Sequence, residues 1–357
     1  MDRVIAIQHL RAVAAFSVLV FHALESTTHR FIVGAAGVDL FFVISGFVMG
    51  LLLADPAARP TSFLQRRFLR VAPFYWLATF VTAGLWALRP DLFPWMSVTA
   101  PDLLRSLLFV PYVAAHGSSP VLLQGWTLTY EAAFYVLCAA ALFAAPARRL
   151  ALVASCLLAV GAAPAVIAPQ GVIAATLVNP LVVEFAAGLG LALAWRRGWL
   201  ASARWGAAAI AAGVIGFTVA QINGIDPAGY ARLAWWGAPA VLIVAGALAV
   251  EGAGRLPHLP GGAALGDASY ALYLLHPIPL ATSVALLPAA TPNAIRIPLA
   301  IAAALLLALI AHRFIERPFL AAMRGRGASA RRQGGASAGE AVVAAALLPI
   351  AKPQRRH

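Results

Sequence analysis

Two side chains in the first apolar stretch, "HLRAVAAFSVLVFH" (residues 9–22), could do chemistry: Arg11 and His22. They stand eleven positions apart. At about 100° per residue, that returns a helix to within about 20° of one direction, with a rise of roughly 16 Å. A guanidinium at one depth and an imidazole at another, facing the same way, could bind an anionic group and move a proton. Snorkelling to the interface competes as a reading of Arg11, and interfacial packing as a reading of His22.

Other ionisable groups interrupt the later apolar stretches. Asp39 stands in "GVDLFFVISGFVMG" (37–50), where Gly46 and Gly50 are one turn apart and permit close helix contact. "FLQRRFLRVAPFYW" (63–76) collects Arg66, Arg67 and Arg70 ahead of Pro73, as anchors at a membrane face or as a cradle for a phosphorylated ligand. Glu131 and Tyr135 share a face in "GWTLTYEAAFY" (125–135). In "ASYALYLLHPIP" (268–279), Ser269, Tyr273 and His276 share another face, with Pro277 and Pro279 loosening the backbone. Glu316 in "HRFIERPF" suits an ion pair with neighbouring arginines at the inner face. Glu184 stands alone in its stretch with no role assigned.

The elements that must position these groups follow from composition. The 357 residues are 62% hydrophobic and 11% charged, against roughly 25% charged in a soluble domain. Apolar segments fall at about 5–24, 37–54, 72–88, 122–145, 150–167, 174–194, 206–222, 233–250, 266–287 and 295–312. The expectation is an all-α, polytopic membrane helix bundle of about ten transmembrane helices, beginning with an uncleaved first span. Residues 1–323 would be the membrane domain and 324–357 a basic, disordered cytoplasmic tail. With the N-terminus inside, 20 of the 26 basic residues fall on the cytoplasmic side, five fall outside, and Arg11 lies within a span. Both termini are therefore expected to be cytoplasmic. That distribution accounts for the net charge of +13 without nucleic acid. Cys138 and Cys156 lie in apolar runs and suggest neither a disulfide framework nor a thiolate metal site, and no metal is expected. An ionisable group within a span costs roughly 2.5–3.5 kcal/mol on insertion scales, so each needs a reason.

The motifs, taken in order, supply one. R-x10-H, then G-V-D-L-F-F-V-I-S-G-F, R-x-x-R before a proline, W-T-L-x-x-E-x-x-F-Y, S-Y-x-x-Y-L-x-H-P and F-I-E-R-P-F together resemble the acyltransferase-3 family of integral membrane acyltransferases. The resemblance runs from residue 1 to about 320. Within the family, "IQHLRAVAA", "GAAGVDLFFVISGFVM" and "GWTLTYEAAFY" are most similar to the exopolysaccharide-production membrane acetyltransferases. The resemblance implies O-acyl transfer, usually acetyl, from cytoplasmic acyl-CoA to a sugar hydroxyl of a surface glycan or its lipid-linked precursor, at a bacterial inner membrane. Exopolysaccharide assembly proteins and membrane lipids are the implied partners.

Carried over by position, Arg11 and His22 would be the essential first-span pair. Arg67 and Arg70 would be the arginine motif, Glu131 and His276 the later polar sites, and Glu316 the inner-face acid. Many members have serine where Thr127 stands, and threonine keeps the hydroxyl. One family variant appends an extracytoplasmic hydrolase-like domain; this chain is expected to work without one or with a partner. The chemistry needs a base to take the hydroxyl proton as it attacks a thioester. His22 is the expected base, with Glu131 or Asp39 orienting it or relaying the proton, and His276 is the alternative base. Arg11 would hold the pantetheine or phosphate part of the donor, and Arg66, Arg67 and Arg70 its nucleotide phosphates. A transporter or flippase of lipid-linked sugars is the alternative function, since it too would place charges within a bundle.

Overall fold

A computed structural model of the protein describes residues 4–323, apart from 26, 28, 29, 95, 114–119, 258 and 289. The segment expected to be a tail, 324–357, lies outside the described residues. In hydrocarbon a backbone must satisfy its own polar groups, which the helix does within one segment. The helices are α1 (Ile5–Leu24), α2 (Gly37–Leu53), α3 (Pro60–Leu88), α4 (Ala100–Leu107), α5 (Gly125–Ala141), α6 (Pro146–Ala162) and α7 (Gly171–Leu177). They continue as α8 (Val182–Arg196), α9 (Ala203–Ile222), α10 (Gly229–Arg232), α11 (Ala238–Gly252), α12 (Gly262–Leu275), α13 (Pro277–Leu286) and α14 (Asn293–Ala311).

Among the described residues, eight stretches are long and apolar enough to cross a membrane, and the bent pair α12–α13 makes a ninth. The remaining expected span, 122–145, contributes α5, whose 17 residues reach about 26 Å, short of a hydrocarbon core of about 30 Å. The expected span 266–287 is not straight: it bends by 57° between α12 and α13. Pro277 supplies no N–H and its ring crowds the preceding turn. The expected loop 55–71 is largely helix, because α3 already begins at Pro60, with proline in the first turn, where no N–H is needed. Arg66, Arg67 and Arg70 therefore stand on a rigid helix that continues through Pro73.

α2 is the most buried of the spans and runs between the two large apolar clusters of the bundle. Its glycines pack against α8. A Cβ on Gly46 would lie 2.2 Å from the Phe185 carbonyl oxygen, and one on Gly188 would lie 2.2 Å from that of Val43. Only glycine permits such an approach of two backbones. Beside this contact, Asp39 is fully buried and accepts from Arg232 through both oxygens, at 3.1 Å from Nε and 2.8 Å from Nη2. Arg232 also lies 4.7 Å from the centroid of the buried Trp236 ring. Glu184, which stands alone in the sequence, is 2% exposed and comes to lie beside this pair. The Asp39–Arg232 pair ties α2 to α10.

Candidate active site

Most of the side chains expected to do chemistry line two cavities, one toward each end of the bundle; Asp39 and Arg66 line neither. The first, of about 140 Å³, is lined by Arg11, Ser45, Arg67, Arg70, Glu131, Tyr135, Tyr270 and Tyr273 among others. Here α1, α2, α3, α5 and α12 meet. Arg11 donates from Nε to Ser269 Oγ at 3.1 Å, and Ser269 in turn donates to the Gly266 carbonyl at 2.8 Å, which fixes the hydroxyl that the guanidinium meets. Arg70 donates to Glu316 at 2.9 Å, while the other Glu316 oxygen meets His312 Nδ1 at 2.8 Å. Glu316 thus makes an ion pair, with Arg70 of α3 and not with the neighbouring arginines expected. Arg67 lies 6.0 Å from the Tyr135 ring centroid.

The second cavity, of about 540 Å³, is lined by His22, Glu25, Gln124 and His276, with Arg296 and aliphatic side chains of α13 and α14. His22 and His276 stack, their ring centroids 5.2 Å apart and their planes 25° from parallel. Helical phase placed Arg11 and His22 on one face of α1, and both do meet the α12–α13 element, Arg11 at Ser269 and His22 at His276. They open, however, into different cavities. Between these lies a hydrogen-bonded layer. The Tyr273 and Thr127 hydroxyls lie 3.0 Å apart and 3.3 and 3.1 Å from the Gln124 carbonyl oxygen, so two protons serve three contacts. Tyr273 and Thr127 line the first cavity and Gln124 the second.

Neither carboxylate expected to orient His22 reaches it. Glu131 is seven residues beyond Gln124 on α5, roughly 10 Å deeper, and accepts from Ser45 at 3.3 Å and from the Tyr135 hydroxyl. Asp39 is taken up by Arg232. The partner of His22 is Glu25, whose Oε2 lies 3.1 Å from Nδ1. An ionised carboxylate only accepts, so Nδ1 carries the proton and Nε2 keeps its lone pair. His276 has the same tautomer for a different reason: its Nδ1 lies 3.1 Å from the Leu272 carbonyl oxygen. Glu25 was detectable as the i+3 neighbour in "HALE", at the end of α1. Gln124, a neutral side chain in the turn before α5, carried no such signal.

Glu25 lies beyond the span. Its hydrogen bond from His22 draws its carboxyl below the usual value of 4.5, against the opposing effect of partial burial. A lowered value means that the contact is present above the ordinary carboxylate range and is lost as pH falls through the lowered value. Glu25→Gln is expected to slow turnover about tenfold near neutrality. The ratio of wild-type to variant rate should then fall toward one in acid, as a pH–rate profile would read. A ratio that is unchanged across that range would mean that the Glu25 charge does not act on His22.

Residues 4–313 match the family model described as "Acyltransferase domain", the acyltransferase-3 family. The chain belongs to that family. This acyltransferase is 36% identical over 330 residues to the "Exopolysaccharide production protein ExoZ" of Rhizobium meliloti (strain 1021), which covers 89% of the chain and all of that relative. It is also 35% identical over 115 residues to "Acyltransferase MdmB" of Streptomyces mycarofaciens, covering 30% of the chain and 28% of the relative. No solved structure matches it. The match runs from the start of α1 through the last membrane helix, so it takes in both cavities. The protein is a multi-pass membrane enzyme, an acyltransferase.

Proposed function

We propose that this acyltransferase moves an acyl group, taken as acetyl, from acyl-CoA on the arginine-rich side to a sugar hydroxyl on the histidine side. The arginine-rich side is the cytoplasmic one, with both termini there, in a bacterial inner membrane. The observation that carries the reading is the pair of cavities meeting at the Tyr273–Thr127–Gln124 layer, cationic on one side and imidazole-lined on the other. The printed name of the Rhizobium relative supports an exopolysaccharide or its lipid-linked precursor as acceptor.

Donor phosphates suit Arg67 and Arg70 at the mouth of the first cavity, with Arg11 deeper beside the pantetheine arm. The cavity of about 140 Å³ suits a narrow arm and not a nucleotide, which would stay at the mouth. The thioester then lies near the dividing layer. On the far side, His22 Nε2 takes the proton of the acceptor hydroxyl as its oxygen bonds to the thioester carbon. The carbon–sulfur bond breaks, the thiolate leaves, and the imidazolium returns the proton to sulfur. Glu25 faces the charged imidazole, whereas His276 has only a carbonyl at Nδ1, which offers no countercharge. His22 is therefore the base.

Arg11→Ala should lower kcat/KM for acyl-CoA roughly 10- to 150-fold, the cost of hydrogen bonds to a charged group. An unchanged kcat/KM would remove Arg11 from the donor site. The reading as a whole is tested by supplying radiolabelled acetyl-CoA to membranes that contain or lack the protein. Label should enter the glycan fraction only where the protein is present; equal labelling would reject the proposal.

A further inference from the structure

Two residues lining the second cavity carry a buried polar atom that meets no partner among the described residues. Among the described residues, Gln124 is 6% exposed and its Oε1 meets no donor, and His276 is fully buried and its Nε2 meets none. Both residues line the cavity. A buried acceptor left unmade costs about 1–3 kcal/mol, and each such group in a folded protein calls for an explanation.

Their surroundings fix their character. The Gln124 carbonyl is held by Thr127 and Tyr273, which pins the turn from which its side chain projects. His276 Nδ1 is satisfied by Leu272, so Nε2 presents a lone pair and not an N–H. The His276 ring centroid is 6.4 Å from that of Tyr273, whose hydroxyl meets the Gln124 carbonyl, so both residues stand beside the dividing layer. Neither is engaged by the base and its carboxylate, His22 and Glu25, which pair with each other.

Two acceptors on residues that line one mostly apolar cavity ask for a ligand that brings hydroxyl donors. We infer that Gln124 Oε1 and His276 Nε2 form the recognition subsite for the acceptor, a polyhydroxylated sugar. Two of its hydroxyls other than the reacting one donate to them, while His22 takes the proton of the third. The inference rests on the second cavity being the acceptor site. It gives His276 a binding role in place of the role of base, and adds Gln124 to the site.

The test uses detergent-solubilised full-length enzyme, radiolabelled acetyl-CoA, and a panel of methyl hexopyranosides with the monodeoxy derivatives of whichever hexoside is labelled. Gln124→Leu, similar in shape, should raise KM for the hexoside about tenfold and leave KM for acetyl-CoA unchanged. Removal of one particular hydroxyl should cost the wild type about tenfold and cost the Leu variant nothing more. His276→Leu should show the same coupling to a different hydroxyl. If Gln124→Leu fails to accumulate, Gln124→Asn, which withdraws the acceptor by one methylene, should show the same loss of coupling. Deoxy derivatives that lose equal activity in wild type and variants would overturn the subsite while leaving acyl transfer to sugar intact. A wild type that labels none of the hexosides, yet hydrolyses acetyl-CoA, would overturn the sugar reading and the subsite with it.

Discussion

His22→Ala is expected to lower acyl transfer by about 10²- to 10⁴-fold, the usual contribution of a positioned general base, while the protein still accumulates in the membrane. The side chain is 27% exposed, at the end of α1, and its contacts are a stack on His276, an edge contact with the Phe21 ring and a hydrogen bond to Glu25. Removing it opens space in an existing cavity and strands no buried charge, since Glu25 is 63% exposed. The loss should therefore appear in kcat, with KM for acyl-CoA little changed. His22→Gln, which keeps a polar side chain but no base, should be as inactive as alanine. Full activity in either variant would move the base elsewhere, with His276 the next candidate.

Arg232→Ala is expected to fail at the level of the fold. Asp39 is fully buried, and Arg232 meets both of its oxygens; Glu184, also buried, stands beside them. Taking away the guanidinium leaves two carboxyl groups in the interior with no countercharge. Breaking such a buried pair costs about 3–5 kcal/mol, a large share of the stability of a typical domain. The measurements are the amount of protein in the membrane and its thermal unfolding in detergent. Asp39→Asn introduced together with Arg232→Ala should recover part of the loss, because the uncompensated charge is gone. Wild-type accumulation of Arg232→Ala alone would show that Asp39 does not depend on this pair.

Much of this arrangement is legible in the residues, because a membrane makes each polar side chain conspicuous. Arg11, His22, Glu131 and His276 stand out against apolar neighbours, and helical phase correctly turns Arg11 and His22 toward one partner element. Proline at 277 marks the bend that sets His276 between α12 and α13. What helical phase does not carry is which residues meet across helices. Asp39 reads as a possible relay because its depth resembles that of His22, yet it is committed to Arg232, 193 residues away. Arg232 in turn counts as an outer-loop charge until α10 and its π-helical turn are seen to bring it inward. Glu251 is similar: its carboxylate accepts the backbone N–H groups of Ile5 and Ala6, at 3.0 and 2.8 Å, at the positive end of α1. Gln124 is hidden for another reason. A neutral amide is unremarkable in sequence and becomes telling only when its side-chain oxygen is buried without a donor.

The central claim is that donor and acceptor approach from opposite ends of the bundle and meet at the Tyr273–Thr127–Gln124 layer. Sealed proteoliposomes of the full-length protein, reconstituted in one orientation, test it most directly. Radiolabelled acetyl-CoA is placed on the arginine-rich side and a membrane-impermeant hexoside on the other. Labelled hexoside should form with the two substrates on opposite sides, and not when both are on either side alone. Product formed only when donor and acceptor share a side would contradict the two-cavity mechanism.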